Sequence, residues 1–347
     1  MLAKPVPELP EGDLLFEPKW DGFRCIVFRD HDEVVLGSRN ERPLTRYFPE
    51  LVEAIRTGFP QRCVVDGEIV VASPEGRADF DLLSQRIHPA GSRIRRLAAE
   101  LPASFVAFDL LALDDRALLE APLRDRRALL DRHLADLRTG LHRSPATTDR
   151  ALAAHWFARF EGAGIDGVMA KPIEGTYEPG RRVQYKLKHR RSADCVVGGF
   201  RMHRTGDGVG SLLLGLHDHA GILHHVGVAT SFSATRRVQL IAELSPYLDD
   251  ALADHPWRAW ADPATPTTGR MPGTVSRWSG DRDGAWTPVR PERVCEVAYD
   301  QLQGDRFRHP TRFVRWRPDK RPGECTYDQL EPVASCGLAE VFAATGS

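Results

Sequence analysis

The six cysteines, Cys25, Cys63, Cys195, Cys295, Cys325 and Cys336, form no Cys-x-x-Cys pair. That excludes the usual spacing of a zinc site and gives no sign of a disulfide framework. They read as reduced core residues of a cytoplasmic protein. No apolar run comes near the ~20 residues that span a bilayer, so no membrane partner is expected. The proline-rich stretch Met1–Pro10 lacks the apolar core of a secretory signal. Net charge is almost absent, −1 at neutral pH, which argues against a protein that coats nucleic acid by sheer positive charge. No internal repeat is seen.

What is present suits a chain of two domains: 347 residues, of which 42% are hydrophobic. Positive charge is local. Lys186, Lys188, His189, Arg190 and Arg191 form one cluster. Arg308, Arg312, Arg315, Arg317 and Lys320 form another, interleaved with Phe307, Phe313 and Trp316. Two such runs in a near-neutral chain point to a directed phosphate-binding surface.

Periodicity predicts strands over 23–29 and 33–37, a bent strand or strand–turn–strand over 62–72, and a central strand over 103–113 holding one lone acid, Asp109. Helices are expected over 49–58, 79–87, 123–137 and 150–161. A short strand opens at Asp166 and ends at Lys171. Another, over 184–188, sets Lys186 and Lys188 on one face, because strand side chains repeat every second residue. After Arg191 the pattern changes to short strands over 194–200, 210–217 and 222–229, a helix over 231–244, and strands over 293–299 and 312–316. That succession fits a small barrel, with 254–291 as a long loop. The change of pattern places a hinge at Arg191-Ser192-Ala193.

The stretch Glu17-Pro18-Lys19-Trp20-Asp21-Gly22-Phe23-Arg24 organises these pieces. Asp-Gly is a turn signal between extended segments, and it holds the Lys19 ammonium at a loop end. Lysine is the right nucleophile for a phosphoramidate once neighbouring cations and partial burial help it lose its proton. Lys-x-Asp-Gly alone is a common accident, but it keeps company. Ser38-Arg39-Asn40, Asp66-Gly67-Glu68, Phe108-Asp109, Asp166-Gly167-Val168-Met169-Ala170-Lys171, Lys186-Leu187-Lys188 and Arg315-Trp316-Arg317-Pro318-Asp319-Lys320 follow in order.

That ordered set resembles the covalent nucleotidyltransferases, and within them the ATP-dependent DNA ligases of the bacterial ligase C type, with similarity to the ligase module of ligase D. The resemblance covers nearly the whole chain. It implies an α+β fold: an antiparallel-sheet, ATP-grasp-like nucleotidyltransferase domain over 1–191, then a C-terminal OB-fold β-barrel over 192–347. It implies that Lys19 attacks the ATP α-phosphate to give lysyl-AMP and pyrophosphate. AMP then passes to the 5′-phosphate of nicked double-stranded DNA, and the 3′-hydroxyl displaces it, in DNA repair and recombination.

By position, Glu17 would lie near adenine, Arg24, Arg39 and Glu68 would address ribose and phosphates, and Phe108 would stack on the base. Lys186 and Lys188 would hold the α-phosphate. Glu68 and Asp166 would bind Mg²⁺ or Mn²⁺, hard cations that favour carboxylates. The family opens its fourth motif with Glu where this chain has Asp166, so a water-bridged contact is an alternative to direct ligation. Asp109 would buttress the cleft. Arg317 and Lys320 would serve a barrel segment that swings over the ATP site and orients pyrophosphate. The expected enzyme is monomeric, with repair proteins as its protein partners. The short lead before Lys19 and the unpaired cysteines disfavour an NAD-dependent ligase. RNA ligation, GTP-dependent mRNA capping and non-catalytic DNA-end binding are the alternative readings.

Overall fold

Runs of β-branched and aromatic residues build two sheets before residue 189, and a closed barrel and a two-stranded ribbon after it. The computed structural model describes residues 1–38, 42–135, 137, 139–189, 191–260, 285–300, 302–330 and 334–344. Contacts divide the chain into two units, Met1–Lys188 with Val333–Ser347, and His189–Pro332.

The strands of the first unit are β1 (Leu2–Val6), β2 (Leu14–Pro18), β3 (Phe23–Asp30), β4 (Glu33–Ser38), β5 (Arg62–Val71), β6 (Ala103–Leu113), β7 (Arg116–Ala117), β8 (Leu141–Arg143), β9 (Gly167–Pro172) and β10 (Arg182–Lys188). One sheet has the order β1-β10-β9-β2, the other β4-β3-β5-β6-β7 with β8 also paired to β6. The sheets are mixed rather than purely antiparallel, because β1 runs parallel to β10 and β8 parallel to β6. Pro5 sits in β1 without loss, since an edge strand need not donate every N–H. β5 is one bent strand. Its register against β6 shifts at Val64/Val65 and again at Asp66/Gly67.

Cys25, Val27, Val65, Ile69 and Phe105 point from the second sheet into a core closed by helix α1 (Pro49–Gly58) through Leu51 and Ile55. Helices α2 (Phe80–Gln85), α3 (Gly91–Glu100), α4 (Leu123–His133) and α5 (Arg150–Arg159) complete this unit's central part. Asp79 caps α2 by accepting from Leu82 N, and Asp149 caps α5.

The second unit holds β11 (Arg191–Met202), β12 (Val209–His217), β13 (Leu223–Thr230), helix α6 (Ala234–Leu244), β14 (Thr287–Tyr299), β15 (Leu302–Gln303), β16 (Arg306–Phe307) and β17 (Thr311–Trp316). Five strands close a barrel in the order β11-β12-β13-β17-β14. Every neighbouring pair in it is antiparallel except β13–β17. Leu212, Leu214, Val226, Val297 and Trp257 are among the residues that fill it.

Arg191, Ser192 and Ala193, expected as a hinge, lie just past the boundary between the units and ladder with Tyr299, Ala298 and Val297 as the start of β11. Two expectations need correction. The expected loop 254–291 gives way to β14 at Thr287, and its residues 261–284 lie outside the described residues. Residues 334–344, expected with the barrel, pack on the first unit instead through helix α7 (Leu338–Ala343), whose Leu338 and Val341 join an apolar cluster there. Among the described residues no helix is long and apolar enough to cross a membrane.

Candidate active site

β2 and β3 belong to different sheets, so Asp21-Gly22 does not close a hairpin. It carries the chain from one sheet to the other, and the loop is pinned along its length. Lys19 N donates to Gly167 O at 2.8 Å, and Asp166 N donates to Lys19 O at 3.0 Å. Trp20 Nε1 donates to Ser144 Oγ at 2.9 Å. Gly22 N donates to Glu68 Oε1 at 3.2 Å. A Cβ on Gly22 would stand 2.1 Å from Ile69 O, so only glycine permits this approach to β5.

A cavity of about 260 Å³ opens beside this loop. Glu17, Lys19, Arg24, Glu68, Phe108, Lys171 and Lys186 line it. Five stretches far apart in sequence therefore meet at one place, with β2, β9 and β10 supplying one wall and β3, β5 and β6 the other.

Charge is arranged in pairs. The Lys19 ammonium donates to Asp166 Oδ2, and Lys188 Nζ reaches the same oxygen at 3.0 Å. Burial alone would raise the Asp166 carboxyl, but Lys19 and Lys188 outweigh it and hold it below its ordinary value. Asp166 Oδ1 is buried with no hydrogen-bond partner. Glu17, 1% exposed, accepts from Lys171 Nζ at 2.6 Å, and its buried Oε1 makes no hydrogen bond but lies 3.6 Å from Arg127 Nη1. Lys171 Nζ stands 4.5 Å from the centre of the half-buried Phe108 ring. Burial pushes the Glu68 carboxyl up to about 7 against the pull of Lys19 and Arg24.

Behind the cavity lie two buried carboxylates, each with its own guanidinium. Arg24 forks onto Asp66, which also accepts from Tyr177 Oη at 2.8 Å. Arg126 forks onto Asp109 at 2.8 and 3.1 Å, and Arg126 is wholly buried. Asp109 thus acts as a buttress. Arg24 donates further to Met1 O at 2.7 Å, so its side chain is largely spent on protein partners.

Of the remaining expected site residues, Arg39 lies outside the described residues. Arg317 and Lys320 belong to the second unit, where both grip Asp194. Glu68 and Asp166 flank Lys19, but among the described residues no group of three or more His, Cys, Asp or Glu converges as a metal site. Sequence reasoning gave Lys171 no role, although it closes the motif that Asp166 opens. Asp66 was legible only as part of the Asp66-Gly67-Glu68 motif, and Tyr177 carried no signal of its own.

The family model described as "ATP dependent DNA ligase domain" matches residues 1–189, and "ATP dependent DNA ligase C terminal region" matches residues 205–320. The chain belongs to the ATP-dependent DNA ligase family. It is 53% identical over 346 residues to the DNA ligase C of Mycobacterium tuberculosis, covering 98% of this chain and 96% of that one. It is 32% identical over 327 residues to the multifunctional non-homologous end joining protein LigD of Mycobacterium bovis, covering 92% of this chain and 38% of that one. A solved structure from work on Lig E DNA ligases superposes with a TM-score of 0.55 at 16% identity, over 91% of this chain and 100% of that one. That likeness shows a shared fold. This ligase is a covalent nucleotidyltransferase of a family that uses ATP and acts on nicked DNA.

Proposed function

We propose that Lys19 Nζ is the nucleophile of this ligase, and that the cavity beside it takes the adenosine and α-phosphate of ATP. The observation that carries this reading is the convergence of Glu17, Lys19, Glu68, Phe108 and Lys186, from four separated stretches, on one cavity. In the first step Nζ loses a proton and bonds to the α-phosphorus. The bond to the bridging oxygen breaks, and pyrophosphate leaves. AMP then moves to the 5′-phosphate of the nick, and the 3′-hydroxyl displaces it to seal the strand. Phosphoryl transfer of this kind depends on positioning and charge neutralisation more than on strong bases.

Asp166 suits that division of labour. Held below its ordinary value, its carboxylate is a weak base and a firm clamp, fixing Nζ between loop and strand. Lys186, on the cavity wall, is the donor assigned to the α-phosphate, with Lys188 beside it on the same face of β10. Glu17 Oε1, which makes no hydrogen bond and has only the longer contact with Arg127, suits the exocyclic amine of adenine, and Phe108 offers a flat surface to the base. Arg24, which lines the cavity although most of its donors go to Asp66 and Met1, is assigned with Arg39 to ribose and phosphates.

Glu68 and Asp166 fit a divalent cation, Mg²⁺ or Mn²⁺. Asp166 keeps a buried oxygen without a partner, and Glu68 has a carboxyl that an arriving cation would ionise. Such ions are held by one or two carboxylates together with substrate phosphates, so two protein ligands suffice. Bound there, the ion would neutralise charge on the phosphates.

The barrel's strand order, its single parallel pair β13–β17 and the helix between its third and fourth strands support an OB fold. Its basic strand β17, with Arg312 and Arg315, suits the backbone of nicked double-stranded DNA. The six free, buried cysteines fit a reducing cytoplasm. Incubation with labelled ATP or GTP, followed by nicked DNA or RNA, tests the whole reading. Label from ATP on the Lys19 peptide, transferred to nicked DNA and absent in Lys19→Ala, is the expected result. An adduct on another lysine, or full activity in Lys19→Ala, overturns it.

A further inference from the structure

Residues 334–344 follow the barrel in sequence, yet they pack on the first unit, beyond the residue 320 at which the second family match ends. Their attachment is specific at four points. Leu338 N donates to Gly76 O at 2.8 Å. Glu340 takes both Nε and Nη2 of Arg159, at 2.6 and 3.0 Å. A Cβ on Gly162 would meet Ala334 O at 1.9 Å, so the segment lies directly on that glycine. Cys336, Leu338 and Val341 share a buried cluster with Trp20, Val106, Trp156 and Phe160.

A fifth contact bears on the chemistry. Phe342 lies between two rings, 3.8 Å from His142 at an interplanar angle of 6°, and 5.3 Å from Trp20 at 17°. Trp20 directly follows Lys19 and is 6% exposed. Beyond its apolar packing, its indole makes two directional contacts of different kinds, the Nε1 bond to Ser144 and the stack with Phe342. The Lys19 backbone is held by Asp166 and Gly167. Removing Phe342 would leave the indole its edge contact but not its face, and Lys19 shares a backbone with that indole.

We propose that residues 334–344 are a built-in positioning element of the nucleophile loop, with Phe342 acting through Trp20 on Lys19. The proposal rests on Lys19 being the residue that accepts AMP. In-line attack is sensitive to displacement of the attacking atom by less than an ångström, so a small loosening of Trp20 is felt in the rate of lysyl-AMP formation and not in ATP affinity.

The test uses the full-length protein. Phe342→Ala should slow single-turnover lysyl-AMP formation about ten-fold at saturating ATP, with the ATP dissociation constant unchanged. Phe342→Tyr, which restores the flat ring, should return the rate. Phe342→Leu, which keeps bulk without the stack, should not, and it carries the same expectation if the alanine variant folds poorly. Sealing of a nick that already bears 5′-AMP should change less than about two-fold, since Lys19 forms no bond in that step. An unchanged lysyl-AMP rate in Phe342→Ala, or equal losses in both assays, overturns the proposal. Mapping the adduct by mass spectrometry in the same samples separates the two readings. AMP on a residue other than Lys19 refutes the nucleophile assignment, whereas AMP on Lys19 at an undiminished rate refutes only the role of Phe342.

Discussion

Asp166 holds Lys19 from two sides: its backbone N–H donates to Lys19 O at 3.0 Å while its carboxylate accepts from Lys19 Nζ. One residue therefore fixes both ends of the nucleophile. Asp166→Ala removes only the side-chain contact, and deprives Lys19 and Lys188 of the carboxylate they share. Lysyl-AMP formation should fall about 100-fold. Asp166→Glu, which restores the carboxylate of the family pattern, should stay within about ten-fold of wild type. Single-turnover assays across a range of Mg²⁺ concentrations check this. An alanine variant that matched wild type at limiting metal would show that the carboxylate serves neither lysine nor cation.

Glu68 makes stability depend on pH in the opposite sense to a salt-bridged acid. Its folded value, about 7, lies above the ordinary 4.5, so the unfolded chain gives up its proton first. The folded state therefore loses stability as pH rises from about 4.5 to about 7, and the loss is constant above that. Glu68→Gln carries no such loss. In metal-free buffer the variant should be more stable than wild type at pH 8 by about 1–3 kcal/mol, and indistinguishable from it below pH 4. Thermal melts over this range provide the measurement. Added Mg²⁺ at pH 8 should raise the wild-type midpoint more than the variant's. A stability difference independent of pH would sink the assignment.

Gly22 is fixed by contact, not by turn type. Gly22→Ala would drive a methyl group to 2.1 Å from Ile69 O and must push the loop off β5. A loss of at least about 2 kcal/mol is expected, together with loss of the Gly22–Glu68 hydrogen bond and of most lysyl-AMP formation. Denaturant melts and an adenylation assay would show both. A variant with wild-type stability would mean that the loop is far looser than these contacts imply.

That glycine also shows what sequence could and could not disclose. Lys-x-Asp-Gly was legible as a motif because residue types at fixed spacing announce the chemistry. Its geometry was not, because an Asp-Gly pair between strands reads as a hairpin until pairing partners are known, and here β2 and β3 join different sheets. Apolar runs announced β3, β5 and β6; β5 and β6 are buried on both faces along most of their length, whereas β3 leaves Phe28 exposed. β1 was hidden by Pro5, a residue that only an edge position tolerates. α3 was hidden because, between its arginines, only Ile94 and Leu97 reach the core. The packing of residues 334–344 on the first unit was illegible for a different reason. It depends on partners such as Trp20, His142 and Gly162, more than a hundred residues away, and no local pattern records them.

The last prediction concerns Asp194 and the two barrel cations assigned to pyrophosphate departure. Arg317 Nη1 lies 2.9 Å from both Asp194 oxygens, and Lys320 Nζ lies 2.9 Å from Oδ2. Asp194 is itself bracketed by Gln329, which accepts from its N at 2.7 Å and donates to its O at 3.0 Å. Asp194 thus pairs with both cations, and Arg317 also donates from Nε and Nη2 to Asp319. To act on pyrophosphate they must exchange these carboxylates for phosphate oxygens, which carry more negative charge and favour a bidentate arginine. Arg317→Ala and Lys320→Ala should each slow lysyl-AMP formation by about ten-fold or more. Sealing of a nick already carrying 5′-AMP releases no pyrophosphate and should change little. Asp194→Asn keeps the shape of the anchor but removes its charge, so both cations would exchange partners more readily, and lysyl-AMP formation should be no slower than in wild type. Equal losses in the adenylation and sealing assays for Arg317→Ala and Lys320→Ala would assign these residues to DNA contact or to holding the barrel together. A slow first step in Asp194→Asn would mean that the carboxylate positions the cations for their work rather than restraining them.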